Sequence, residues 1–436
     1  MSIKVAYFTA GATEYRGGPL LILNFAKAVK LFGLGNADIK VFTFEDIELY
    51  SSRLSKLANL LVDYKNMIDI VPIKIKYWNL RKDLSLIPKL FLSNIDSGVE
   101  DAIDLFYFLA SHEYMADPFH LAYYIKEVLN DSDVVHIGHW ISDYSLTIST
   151  LRVKNKIPAN TRILCHALIH PLSIKSEVRY LKDTVDYMKI RAIRHILSSY
   201  DAITVSTPYE LQLLKLLGLN KVYLVGETID TDFLSKNESA INELANKIRS
   251  EIGGDLIVFT GPRSRRKGYL NLLRAFVKFV KQFPYTTLVS IGEAPSSEKE
   301  LVEKYENALL QSKRLKIYRF LPSLHKYAFI KASDLVVLPS KEETIPLVFL
   351  EAWSMKKPVI GAKSPTISSV IRYEGDGGIL VNPDNVNELE RALYSMLSEG
   401  KRTVYGYRGY EKYITRYSME VVGKKLGEIY REMTMT

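Results

Sequence analysis

The chain has 436 residues, 47% of them hydrophobic, and sets 58 Lys and Arg against 49 Asp and Glu for a formal charge of +9. At about 150 residues per domain this is too long for one ordinary core and points to two or three, while the apolar content excludes a disordered chain. The basic balance suits phosphate ligands, anionic lipid or nucleic acid, and the single cysteine, Cys165, leaves no intramolecular disulfide and fits a reducing, cytoplasmic compartment.

The opening MSIKVAYFTA reads as a strand and not as a charged flank before an apolar signal core. No uninterrupted apolar stretch approaches the ~18 residues of a membrane span, and no repeat or low-complexity tract is visible. Residues 3–8 are the first predicted strand, 9–18 a glycine-bearing loop, and 19–32 a helix with apolar residues at helical spacing. Gly17 and Gly18, placed just before that helix, permit close backbone approach to a phosphate or sugar, although an ordinary βα turn would also use them.

Further strands are predicted at 39–44, 134–137, 162–165, 202–205 and 222–225, with helical patterns such as 120–129 and 210–217 between them. The stretch 74–92 sets Lys74, Lys76, Arg81, Lys82 and Lys89 against Asp83, interleaved with Tyr77, Trp78, Leu86 and Phe91. That mixture suits peripheral contact with the inner face of an anionic membrane, and equally a solvated loop whose aromatics sit in the core.

After Gly226 a polar stretch leads to a second alternating series, with strands at 256–260, 287–291, 316–320, 334–338, 358–361 and 379–381. Helices intervene at 269–282, 297–311, 346–356 and 386–398. Strands alternating with helices imply parallel sheets covered on both faces, so two series imply two Rossmann-like α/β domains facing each other across a cleft. The expected domains are 1–226 and 227–417, with the amphipathic segment 418–434 docking back on the first as a helix.

The most informative segment is SKEETIPLVFLEAWSMKKPVI, directly after the apolar run DLVVLP. It reads as strand, loop and helix, and a helix N-terminus at the carboxyl end of a parallel strand offers unpaired amides and a positive dipole end to an anion. Glu351 lies about one turn into the helix and Glu343 in the loop, so two carboxylates would meet at one mouth and accept from sugar hydroxyls. A Glu early in a helix is more often a simple dipole partner.

From 255 to about 400 the order of motifs resembles the retaining GT-B glycosyltransferases of family 4, also called glycosyl transferases group 1. IVFTGPRSRRKGYLNLLRAF, with Gly261, is similar to the family's strand, glycine, arginine and lysine-glycine turn; LVSIGEAP, with Gly292, to its next strand and glycine loop. SKEETIPLVFLEAW carries the family's E-x7-E element as Glu343 and Glu351, and GDGGILVNPDN resembles its glycine-containing strand entry. In the first half YRGGPLLILNFAKAV resembles the Gly-Gly loop and first helix, VVHIGHW the histidine segment with His139 as candidate and His136 as fallback, and CHALIH a further histidine position at His166.

The resemblance implies transfer of a sugar from a UDP-, GDP- or ADP-sugar with retention of anomeric configuration and without a protein nucleophile. Glu343 is assigned to the transferred sugar, Glu351 to the ribose, and amides around Thr344, Ile345 and Leu347 to the phosphates. Stabilising the departing diphosphate calls for preorganised cations, and Arg263 and Lys267 stand in a loop after a strand end. Here the sequence departs from the family, because Pro262 follows the glycine where the arginine commonly stands, and Arg265 and Arg266 compete with Arg263.

No cofactor or metal is expected. Asp230 and Asp232 sit in a linker, and His136 and His139 lack further ligands at zinc spacing. The acceptor, whether glycan, lipid-linked or small molecule, is not specified, and no nucleic-acid module is present. Two other activities fit the same fold: a nucleotide or polyanion binder without transfer, and a nucleotide-sugar epimerase.

Overall fold

The computed structural model describes residues 2–10, 17–46, 64, 67–79, 114–116, 118–169, 179–398 and 400–435. They form two compact units, Met1–Gly226 with Met419–Thr436, and Glu227–Ser418.

The strands of the first unit are β1 (Lys4–Ala10), β2 (Asp38–Asp46), β3 (Asp69–Ile75), β4 (Tyr77–Asn79), β5 (Tyr114–Ala116), β6 (Val134–Ile137), β7 (Arg162–His166), β8 (Ala202–Val205) and β9 (Val222–Leu224). Seven of them make one sheet in the order β3-β2-β1-β6-β7-β8-β9, parallel throughout, and β4 pairs antiparallel with β5. Runs such as VVHI and AITV are buried at every position, as expected of parallel strands covered on both faces. Helix Pro208–Leu216 starts at a capping box: the Thr207 hydroxyl accepts from the Glu210 amide while Glu210 accepts from the Thr207 amide.

Strand β3 is absent from the sequence reading. It lies at the sheet edge, where Pro72 is tolerated, and its burial alternates, with Ile73 and Ile75 inside and Lys74 exposed. Lys74 and Lys76 are thus solvated charges on or beside an edge strand, and Tyr77 packs against the core. Arg81, Lys82, Asp83, Leu86, Lys89 and Phe91 lie outside the described residues. Among the described residues no helix is long and apolar enough to cross a membrane.

Helix Met419–Met435 packs on the first unit through Met419, Val422, Leu426, Ile429, Tyr430 and Met433. It crosses the π-helical turn Val29–Gly33 so closely that a Cβ on Gly423 would lie 2.2 Å from the Ala28 carbonyl oxygen. Beneath it the Tyr430 hydroxyl bonds the Tyr7 hydroxyl at 2.8 Å and His136 Nδ1 at 2.6 Å. His136, on β6, and His166, at the end of β7, are fully buried, and His166 is held by the hydroxyls of Thr204 and Ser206 at 2.9 and 3.0 Å.

Burial holds both imidazoles neutral, His136 well below the ordinary value of 6.5 and His166 pushed down to about 3. In the unfolded chain both would accept a proton near pH 6.5, so the stability they contribute is complete above that pH and is lost as the pH falls below it. The thermal midpoint is therefore expected to drop steadily from pH 7 to pH 5, and His166→Gln should flatten that slope. A midpoint constant over this range would contradict the assignment.

The second unit contains β10 (Leu256–Thr260), β11 (Thr287–Ile291), β12 (Leu315–Tyr318), β13 (Leu335–Leu338), β14 (Val359–Ala362) and β15 (Gly378–Val381). They form a parallel sheet in the order β12-β11-β10-β13-β14-β15. The chain runs outward from β10 to β12, then returns to the other side of β10 for β13, so the switch of direction lies between β10 and β13. In open α/β sheets that is where ligands collect, outside the carboxyl ends of the strands.

The polar stretch after Gly226 is helical, as Thr231–Lys236 and Glu238–Ile252. Asp230 caps the first of these by accepting from the Phe233 amide at 3.0 Å, and Asp232 pairs with Lys236 at 2.8 Å. The second buries Ile241, Ala245 and Ile248 along one stripe.

Candidate active site

Two loops flank the switch point. The one after β10, Gly261–Gly268 in sequence, enters helix Tyr269–Phe279; the one after β13 enters helix Leu347–Ser354. They are laced together. Gly268 takes φ +71°, and a Cβ there would lie 2.2 Å from the Pro339 carbonyl oxygen, so only glycine lets the first loop lie against the second. The Lys341 amide donates to the Arg266 carbonyl at 3.1 Å.

Within this lacing the ammonium of Lys267 pairs with the Glu343 carboxylate, which also accepts from the Ser340 hydroxyl at 2.6 Å. Both partners are nearly enclosed, at 14% and 13% side-chain exposure. From helix Pro365–Val370, which follows β14, the Thr366 hydroxyl donates to the Glu343 carbonyl at 2.6 Å. Thr344, next in the chain, is buried and donates to the buried Glu227 carboxylate at 2.7 Å. Ile345 is buried, and Leu347, half-buried, is the first residue of its helix. Glu351, at 4% exposure, accepts from Lys326 of helix Ser323–Ala332 at 2.6 Å.

Arg263 departs from expectation. It is buried, its guanidinium pairs with Glu306 of helix Lys299–Gln311, and its Nε donates to the Gly292 carbonyl at 3.0 Å. Its own amide donates to the Glu293 carbonyl at 2.8 Å, so the residue braces the loop after β11. The brace fits a tight stack of glycines: Gly261 and Gly292 have φ of +142° and +144°, and a Cβ on Gly292 would meet the Gly261 carbonyl oxygen at 2.0 Å. Arg265 and Arg266 are exposed on the same loop as Lys267.

Residues 241–412 match the family model for glycosyl transferases group 1. That region is similar to the glycosyl transferases group 1. The matched region holds Lys267, Glu343 and Glu351 and nearly all of the second sheet's unit. The chain is 24% identical over 311 residues to a D-inositol 3-phosphate glycosyltransferase of Corynebacterium aurimucosum, covering 69% of this chain and 72% of that protein. It is 25% identical to an alpha-D-kanosaminyltransferase of Streptomyces kanamyceticus over 43% of this chain and 49% of that one. Among solved structures, HepE of Anabaena in complex with UDP-glucose aligns over 99% of this chain and 100% of its own with a TM-score of 0.65 at 14% identity. Sucrose-phosphate synthase of Thermosynechococcus elongatus aligns over 99% of each chain with a TM-score of 0.66 at 14% identity. The likeness is one of fold, GT-B.

The first unit carries the remaining candidates. Gly17 and Gly18 open helix Gly17–Ala28, and a Cβ on Gly18 would meet nothing within 4 Å among the described residues. His139 follows β6 and is half-buried, its Nδ1 2.9 Å from the Ile141 carbonyl oxygen and 3.2 Å from the Ile141 amide. His136 and His166 are spent on the core, as described above.

Lys326 and Glu227 escaped the sequence reading. Neither belongs to a local motif. Lys326 reaches Glu351 from a helix 25 residues earlier, and Glu227 reaches Thr344 across 117 residues.

Proposed function

We propose that this protein is a group 1 glycosyltransferase that binds a nucleotide diphosphate sugar at the switch point of the second unit's sheet and transfers the sugar, with retention of configuration, to an acceptor held by the first unit. The observation that carries this is the convergence of Lys267 and Glu343, one from each loop flanking that point. A diphosphate needs a cation and a sugar needs acceptors for its hydroxyls, and the two loops supply both.

In this reading Lys267 meets the diphosphate, with Arg265 and Arg266 on the same loop, and the amides opening helix Leu347–Ser354 add their dipole end. Pro346 has no amide to give. Glu343 accepts from the transferred sugar. Glu351, with Lys326 on one oxygen, accepts ribose hydroxyls on the other. His139 is the first unit's contribution to the chemistry. Asp230 and Asp232 already cap and pair within their helix, which supports a reaction that neutralises the leaving group with side-chain cations and takes no metal.

The test is a thermal-shift panel of nucleoside diphosphates and their sugars. UDP-glucose heads it, since the HepE structures were solved with UDP and with UDP-glucose. Stabilisation by at least one pair is expected, and Lys267→Ala should weaken binding of that diphosphate by roughly tenfold or more, the loss of a charge-assisted contact. No stabilisation by any member would overturn the proposal.

A further inference from the structure

The two side chains assigned to different parts of the donor are bonded to each other in the protein by itself. Lys267 and Glu343 form an ion pair at 14% and 13% exposure, and the Glu343 carboxylate also accepts from the Ser340 hydroxyl. A diphosphate that draws Lys267 away leaves a nearly enclosed carboxylate short of its counter-charge, which is costly at low dielectric. Sugar hydroxyls can replace what the ammonium gave. A bare nucleoside diphosphate brings none.

We propose that Glu343 sets the selectivity of the site for the loaded nucleotide sugar over the spent nucleoside diphosphate, by holding Lys267 unless sugar hydroxyls take the ammonium's place. The inference rests on the donor site proposed above and adds that Glu343 acts on the empty and product-bound forms as well as on transfer. The carboxylate opposes diphosphate capture, so the same residue that grips the sugar hastens release of the product left after it has gone. A ligand changes such a balance only through its difference in affinity for the two arrangements, and here that difference is the sugar.

Isothermal titration of the full chain with UDP and UDP-glucose tests this, with GDP and GDP-mannose, and ADP and ADP-glucose, run in parallel. Glu343→Gln keeps the shape and removes the charge. It should bind the diphosphate roughly five- to tenfold more tightly than the unaltered protein while the sugar nucleotide gains nothing, so that the preference collapses. Ser340→Ala, which leaves the carboxylate more dependent on Lys267, should move the other way, weakening the diphosphate and widening the preference. Unchanged or weaker diphosphate binding by Glu343→Gln, in a protein that melts normally, overturns the inference and leaves the donor site standing. Failure of the unaltered protein to bind either member of any pair overturns both.

Discussion

Glu343→Ala is expected to lower kcat for sugar transfer by about 10²–10³-fold while binding of the nucleoside diphosphate persists. The residue stands at the switch point of the sheet, its side chain held at two points and its backbone at a third. Lys267 and Ser340 hold its carboxylate and Thr366 holds its carbonyl, so its position is set before any ligand arrives. Contacts of that kind are preorganised, and their loss appears in the chemical step more than in ground-state affinity. Truncation also frees Lys267 for phosphate, so the diphosphate should bind at least as well as before. Steady-state kinetics beside titration with diphosphate separates the two effects. A protein that loses transfer and diphosphate together would place Glu343 on the phosphates and not on the sugar.

Arg263→Ala should destabilise the fold by about 3–5 kcal/mol, the usual result of removing one member of a buried ion pair. Glu306 is 1% exposed and accepts from both Arg263 and the Tyr269 hydroxyl, the latter at 2.8 Å; without the guanidinium its charge is left buried with one neutral donor. The loop after β11 loses its brace at the Gly292 carbonyl as well. Arg263→Met combined with Glu306→Leu removes both charges and should recover most of the loss, because apolar residues often replace a buried pair without penalty. Urea unfolding of the single and double variants decides it. If Arg263→Ala melts like the unaltered protein and instead loses diphosphate, the arginine is a ligand after all.

The second unit was legible because its strands are covered on both faces and its helices on one. LIVFT at β10 and TLVSI at β11 are continuous runs, and their predicted limits coincide with those found. Helix Val386–Ser398 was read with the same bounds, its buried residues Leu389, Ala392, Leu393, Met396 and Leu397 lying on one stripe. Edges were harder. Strand β3 alternates around a proline, and the helix Glu238–Ile252 shows the stripe Ile241, Ala245 and Ile248 inside a composition that reads as linker. At the site, sequence order placed Lys267 and Glu343 on loops that the sheet brings together, since parallel topology sends every strand's carboxyl end to the same side. It could not say which of Arg263, Arg265 and Arg266 turns inward. That depends on Glu306, a residue 43 positions later, whose role becomes visible only once its helix has packed.

The second unit is an insertion within the first, since the chain leaves at Gly226 and returns at Met419. Synthesis on the ribosome therefore delivers the pieces out of step. Glu227–Ser418 emerges as an uninterrupted stretch and has every strand of its sheet before the last helix exists. The first unit must wait, with the backbone around Ala28 and Gly33 uncovered, until Met419–Met435 arrives to close it. The nascent protein thus completes the inserted unit before the one that surrounds it, and the segment made after the insertion closes the unit begun before it.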